Sequence, residues 1–482
     1  MAGPLCTHAR ARQRVVGVAL VSVVLFFARN SPTVLDHLDS LLDRAQGARG
    51  INQVSRYLIG NFRPVASETS APIRLRVASG AIPAGLSAAI VRIGPNPIAE
   101  HGHTKLYHWF DGHGMVHVCR IKGDTGVANY SSHWLRTPRY EHERALRRDY
   151  FPTVGELVGP LGLLRVLLDI GGAKARAYIP DLLRLGQANT AVLSWAGRVL
   201  ALHEASLPFE LSLRDDGSVA SLGYSSLGGE VDAPLSAHAR VDASTDELML
   251  GGYALQPGSP AMKWGTLAPA DLDGPPGSEG NFRTASNLST RPFAHDFAFT
   301  AACVLLLDLS VQFTPEGILD EGRVFSFATG VHADFQGRFA MFGFASVAAA
   351  AEGSFSGVTK WRIEPGRGGL LSHTSYGAGR AGGDLALCAK PARAGAHASD
   401  GSDAVWVLVW IYDEASDASE LLVLDGEATG EALPEVARLV LDGGRVPFGF
   451  HSTCIPEAEL QRHIAASEAR AARAAAAEDP AA

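Results

Sequence analysis

From residue 73 onward the apolar residues of this chain come in short runs, each closed by Gly, Pro, Asp or Ser, and that rhythm leaves few folds open. The runs include IRLRVASG, AAIVRIGPNP, GMVHVCRIKGD, TAVLSWAGRVLALHE, DELMLGGYAL, CVLLLDLSVQF, VWVLVWIYD and ELLVLDGEATG. Their length and their Val, Ile and Leu content are those of strands, and they recur at intervals of roughly 10–20 residues. Helical patterning is confined to about 154–185 and to the Ala-rich stretch after residue 457, so the spacing predicts an all-β core with a small helical insertion. A long series of short antiparallel strands must hide its edges from other chains. Over ~400 residues a propeller does this with more ease than a sandwich or a single barrel.

A hydrophobic share of 46% in 482 residues excludes a disordered chain, and a net charge of −8 offers no cationic footprint for a phosphate backbone. Nucleic acid is therefore excluded as the main partner. The five cysteines, Cys6, Cys119, Cys303, Cys388 and Cys454, stand singly with no CxxC pair. They suggest neither a zinc knuckle nor a disulfide framework and are expected to be small core residues. At the N-terminus, Arg10, Arg12 and Arg14 precede an apolar run from Val15 to Ala28. That run is short of the ~20 residues that span a bilayer as a helix, so residues 1–30 read as a signal, targeting or anchor segment. A plastid-directed presequence fits the same pattern. Residues 31–56 then form a linker, 57–463 the β domain, and 464–482 a low-complexity tail.

Seventeen histidines make a metal site worth seeking. The densest group is His101, His103, His108, His113 and His117. YHWFDGHGMVHVCRI alternates as a strand after a glycine turn, which puts His117 on the face of Met115 and Cys119 and leaves His113 in the turn. Polar surface or satisfied core is the expectation there, not ligation. His238 in SAHARVD, His295 in AHDFAFT and His451 in VPFGFH each sit at a strand edge among small or aromatic residues. Ligands from separate strands converge only in the fold, so spacing leaves each of the three open between core residue and ligand. Neutral imidazoles are nonetheless the usual ligands of iron and zinc.

At these residues the chain resembles the carotenoid cleavage oxygenase family, which includes the plant 9-cis-epoxycarotenoid dioxygenases and the retinal pigment epithelium isomerase. The likeness runs from about Tyr57 to Pro456 through YLIGNFRPV, AIPAGLSAAIVRIGPNP, YHWFDGHGMVH, GQANTAVL, LALHEASLPFEL, SAHARVD, AHDFAFT and VPFGFH, in the family's order. The resemblance implies a seven-bladed β-propeller with a helical cap, and a non-haem Fe(II) held by four histidines. It implies O2 as co-substrate, inserted across a carbon–carbon double bond of a carotenoid or apocarotenoid to give two carbonyl products. His238, His295 and His451 match the first, second and fourth iron histidines, and Glu204 matches a carboxylate that takes the N–H of a ligand imidazole. Asp296 is expected to make a structural hydrogen bond.

The chain departs from the family where the third histidine belongs, in an FHxxNAxE-type segment. LLLDLSVQFTPEGILDEG (305–322) passes directly into RVFSFATGVHADFQGRFAMFGFA (323–345), and no FHxxNA-like string occurs anywhere. The expectation is thus a propeller incomplete by more than one blade, shortened near 322–323, with no counterpart of the third ligand. His332 is the nearest histidine in sequence, and Ser326 and Asp384 stand at about the places of two further family glutamates. A catalytically inactive or truncated member, whether a splice form, a gene-model error or a carotenoid-binding pseudoenzyme, is the alternative. Such substrates dissolve in lipid, so peripheral membrane contact is expected, with Leu157 to Leu168 as the candidate segment, equally readable as a helix packed on the propeller.

Overall fold

A computed structural model describes residues 55–98, 107–156, 182–253, 262–273, 295–299, 355–362, 369–391 and 404–478, apart from 152, 205, 230, 232–234, 243 and 429. It also describes the short strands at 283–285, 304–306, 311–313 and 325–327. The targeting segment, the Leu157 to Leu168 stretch and His332 lie outside the described residues.

The first part of the chain forms β1 (Ile73–Arg74), β2 (Arg76–Gly80), β3 (Ala88–Asn96), β4 (His113–Lys122) and β5 (Val127–Trp134). A helix the apolar pattern does not announce follows, α1 (Pro138–Leu146). Its signal is local: Thr137 accepts the Tyr140 N–H as N-cap, and Pro138 opens the first turn. Two four-stranded meanders come next, β6 (Ala191–Trp195) with β7 (Arg198–Leu202), β8 (Phe209–Leu213) and β9 (Val219–Tyr224), then β10 (Arg240–Val241) with β11 (Leu248–Tyr253), β12 (Met262–Leu267) and β13 (Arg283–Ala285). Three two-stranded sheets follow: β14 (Phe297–Phe299) with β15 (Val304–Leu306), β16 (Val311–Phe313) with β17 (Phe325–Phe327), and β18 (Gly357–Arg362) with β19 (Gly369–Ser375). The chain ends in β20 (Arg380–Ala389), β21 (Val405–Asp413), β22 (Ala418–Asp425), β23 (Glu435–Leu441), β24 (His451–Pro456) and α2 (Glu457–Glu478).

Two sheets borrow a strand from the opposite end of the sequence. The C-terminal β24 pairs with β3 in the order β1-β5-β4-β3-β24, and the N-terminal β2 pairs with β23 in the order β2-β23-β22-β21-β20. Both joints are antiparallel ladders, so the two ends of the chain cross-cover each other's sheet edges. The alternation of β3 shows how sheets stack around these joints. Ala88 and Ile90 enter a core shared with β20–β23, whereas Ala89, Val91 and Ile93 enter one shared with β6–β9. A strand buried on both faces reads as a continuous apolar run, as AAIVRI does.

Several expectations need correction. Cys388 and Cys454 are not separate core residues: they form a disulfide across 66 residues of sequence, joining β20 to β24. Cys119 is free and buried, as expected. His113 is not in a turn but begins β4, with its Nε2 3.0 Å from Glu143 on α1. Burial pushes the Glu143 carboxyl upward, yet Arg139 and His113 overcome it and hold it down at about 2. His117 is satisfied by the Tyr130 hydroxyl at 2.8 Å, so His113 and His117 make core contacts, while His101 and His103 lie outside the described residues. The helical pattern expected after residue 457 is α2, whose first turns bury Leu460 and His463.

Candidate metal centre

Three sheet edges bring the histidines together. His238 lies two residues before β10, His295 two before β14, and His451 is the first residue of β24. Local bonds brace the first two. The His238 N–H donates to Ser236 Oγ at 3.2 Å, and the Ser236 hydroxyl donates to the His295 carbonyl. Asp296 takes Arg240 through both carboxylate oxygens, at 2.8 and 3.0 Å, and accepts the Phe297 N–H at 2.7 Å. That is the structural role expected of it, and it fixes the backbone beside His295.

Glu204 turns His295 toward His238. Its Oε1 lies 2.9 Å from His295 Nδ1 and accepts the Ala237 N–H at 3.3 Å. With Nδ1 engaged, His295 presents Nε2 to His238 Nε2 at 2.9 Å. One ligand atom from each of Glu204, His238 and His295 falls within a 4.8 Å group. His451 stands next to this group, its ring centroid 5.0 Å from that of His238 and edge-on to it. Its Nδ1 faces Asp384 Oδ2 at 3.5 Å, and that oxygen accepts the Ser452 N–H at 2.8 Å. Sequence reasoning gave Asp384 only an approximate place; its position against His451 comes from β20 lying along β24.

The electrostatics keep the pair apart in protonation. Burial, then the neighbouring His295 and His451, pushes His238 down to about 3. Burial acts on His295 in the same direction, but the Glu204 hydrogen bond and charge outweigh it and leave His295 raised. Two imidazole nitrogens bound cis to one ion at ~2.1 Å stand about 3 Å apart. The 2.9 Å separation of the two Nε2 atoms and the carboxylate on Nδ1 of His295 therefore fit a divalent ion of the first transition row.

An aromatic band leads away from His451 that the sequence motifs contained without announcing. Phe450 lies 4.6 Å from Trp109 and 5.6 Å from Phe110 between ring centroids. Trp109 and Phe448 stand 5.1 Å apart, and Phe448 and Phe62 5.0 Å. Phe110 is half exposed. The residues come from YHWFDG, VPFGFH and GNF, which are tied together by the Phe448 N–H donating to the Asn61 carbonyl at 2.8 Å and the Trp109 indole N–H to the Phe448 carbonyl at 3.4 Å.

With this geometry in view, the family model described as retinal pigment epithelial membrane protein matches residues 62–335 and 325–456. The chain belongs to that family, the carotenoid cleavage dioxygenases. A carotenoid 9,10(9',10')-cleavage dioxygenase of Crocus sativus is 33% identical over 276 residues, covering 56% of this chain and 47% of the relative. The 9-cis-epoxycarotenoid dioxygenase NCED6, chloroplastic, of Arabidopsis thaliana is 33% identical over 262 residues, 53% of this chain and 42% of the relative. The chain spans about half the length of the curated relatives it matches. Among solved structures, a variant of the Synechocystis apocarotenoid oxygenase superposes with a TM-score of 0.58 at 20% identity, over 82% of this chain and 97% of that one. A Pseudomonas brassicacearum lignostilbene dioxygenase gives 0.61 at 15%, over 83% and 98%. These likenesses show the fold, a mostly β propeller-type architecture.

Proposed function

We propose that this chain is a non-haem iron(II) dioxygenase that cleaves a carbon–carbon double bond of a carotenoid or apocarotenoid, placing one atom of O2 on each carbonyl product. The observation that carries the reading is the meeting of the His238 and His295 Nε2 atoms at 2.9 Å, with Glu204 on the far nitrogen of His295 and His451 edge-on to His238. His238, His295 and His451 would hold the iron, which supplies the electron density that lets O2 react with a closed-shell alkene. Glu204 and Asp384 direct His295 and His451. The aromatic band of Phe450, Trp109, Phe448 and Phe62 offers an apolar polyene a flat wall beginning beside the metal.

The family match in two pieces, which overlap at 325–335, supports the reading that the 57–463 domain is internally shortened there. Curated relatives named chloroplastic support a plastid location. Among the described residues no helix is long and apolar enough to cross a membrane; the apolar 157–168 segment is the part we assign to peripheral membrane contact.

The test is to purify the protein with ferrous iron, count the metal, and follow bleaching of a carotenoid panel together with aldehyde formation. One iron per chain and new aldehydes are expected. His295→Ala should lose the iron and the activity while keeping its circular dichroism. An intact polyene across the panel, with no bound iron, would favour the inactive or truncated reading, for which the lack of a third-histidine counterpart speaks.

A further inference from the structure

Arg92 on β3 is buried to 2% exposure, and its Nε and Nη1 have no hydrogen-bond partner. A guanidinium carries five N–H donors, and a protein interior rarely leaves such donors dry. The space around it is shaped to admit it. A Cβ on Gly383 would fall 2.2 Å from Nη2, one on Gly449 would fall 3.1 Å from Nε, and the Phe448 ring lies 5.9 Å from the charge. Arg92 stands in register with His117 on β4 and Ser452 on β24. His117, the nearest titratable neighbour on β4, is neutral, because burial and then Arg92 itself push it down to about 3. Among acidic groups, Asp384 on β20 and then Tyr376 act on Arg92, and burial keeps the Tyr376 hydroxyl protonated, which leaves Asp384 as the charged one. Asp384 is the carboxylate that accepts the Ser452 N–H and faces His451 Nδ1. Ser452 Oγ, across the ladder from Arg92, also lacks a partner.

We propose that Arg92 is a positioning residue of the metal centre: its buried charge draws the Asp384 carboxylate into the β3–β24 seam, and Asp384 in turn sets the direction of the His451 imidazole. The proposal rests on the reading of His451 as a ligand. Arg92 acts through an aspartate too short to grip His451 as closely as Glu204 grips His295, at 3.5 Å against 2.9 Å.

The test uses Co(II) titration of the purified chain, read by its visible absorption, and hydrogen exchange at the Ser452 amide in metal-free protein. Arg92→Gln should weaken Co(II) binding about tenfold or more and speed Ser452 exchange, and Asp384→Asn should do the same. The two changes together should be no worse than Asp384→Asn alone, because Arg92 has nothing left to position. Equal losses from Arg92→Gln in both backgrounds, or unchanged binding and exchange, overturn the proposal. Should Arg92→Gln fail to fold, the charge-free Arg92→Met is compared with and without Asp384→Asn: a loss only in the Asp384 background supports the proposal, and an equal one overturns it. If the wild-type chain takes up no Co(II), the metal reading fails. The Ser452 exchange comparison then decides the Arg92–Asp384 link by itself.

Discussion

His295 receives different treatment at its two ring nitrogens, and a single carboxylate is responsible. Glu204 on Nδ1 fixes which nitrogen of His295 faces His238. Glu204→Gln keeps an acceptor but removes the charge; metal affinity should fall about 10–100-fold, measured by competition with a chromophoric chelator. A fold change in the variant's far-ultraviolet dichroism would instead make Glu204 a structural residue. His117 makes a different prediction at the same scale. Its pKa lies near 3 in the folded protein, mainly through burial, against about 6.5 in the unfolded chain. Between those values the unfolded state binds the extra proton, so stability falls as pH drops from about 6.5 toward 3. One proton corresponds to about 1.4 kcal/mol per pH unit. His117→Gln should flatten the pH dependence of the unfolding free energy by about that much, and an unaltered slope would place the proton elsewhere.

At the scale of elements, the Cys388–Cys454 bridge joins β20, which carries Asp384, to β24, which begins with His451. Closing a loop of 66 residues should stabilise the fold by about 2–4 kcal/mol. Cys454→Ser, or a dithiol added to the wild type, should lower the unfolding free energy by that amount in a guanidinium titration. A midpoint indifferent to both means that the thiols stay unpaired in solution. The sequence shows two cysteines 66 positions apart; only the packing of one sheet edge on another makes them neighbours, which is why spacing pointed to core residues. Strand-forming runs were legible because period-two and continuous apolar patterns are local: AAIVRI becomes β3, VWVLVWIYD β21 and ELLVLD part of β22. The short helix α1 was not, since its information lies in a Thr-Pro cap and not in an apolar stripe. The same division holds for the site. Glu204, His238 and His295 were legible through motifs, and the structure groups them; the bond from Asp384 to the Ser452 amide and the burial of Arg92 depend on β20 and β24 lying side by side.

For the molecule as a whole, the fold is secured where its two ends meet. β24 covers the edge of β3 with six residue pairs, Pro456↔Ala88 through His451↔Ile93. Removing it would expose that edge, strip His451 from the site and break the disulfide to β20. Helix α2 continues from β24 and sets Leu460 and Ile464 into the core shared by β3 and β6–β9. His463 accepts the Leu213 N–H there at 2.9 Å. Arg470, 29% exposed, reaches the buried Glu210 at 2.9 Å, a contact that a chain ending at residue 472 keeps. Truncations should therefore show a sharp step. A chain ending at residue 472 should melt within about 1 kcal/mol of the full chain. One ending at 456 loses a buried leucine, a half-buried isoleucine and a buried hydrogen bond, and should lose about 3–6 kcal/mol. One ending at 450 should show no cooperative transition, because an open edge and an unclosed ring remain. A graded decline across the three lengths would mean that the sheets stand independently and that closure by β24 does not govern the fold.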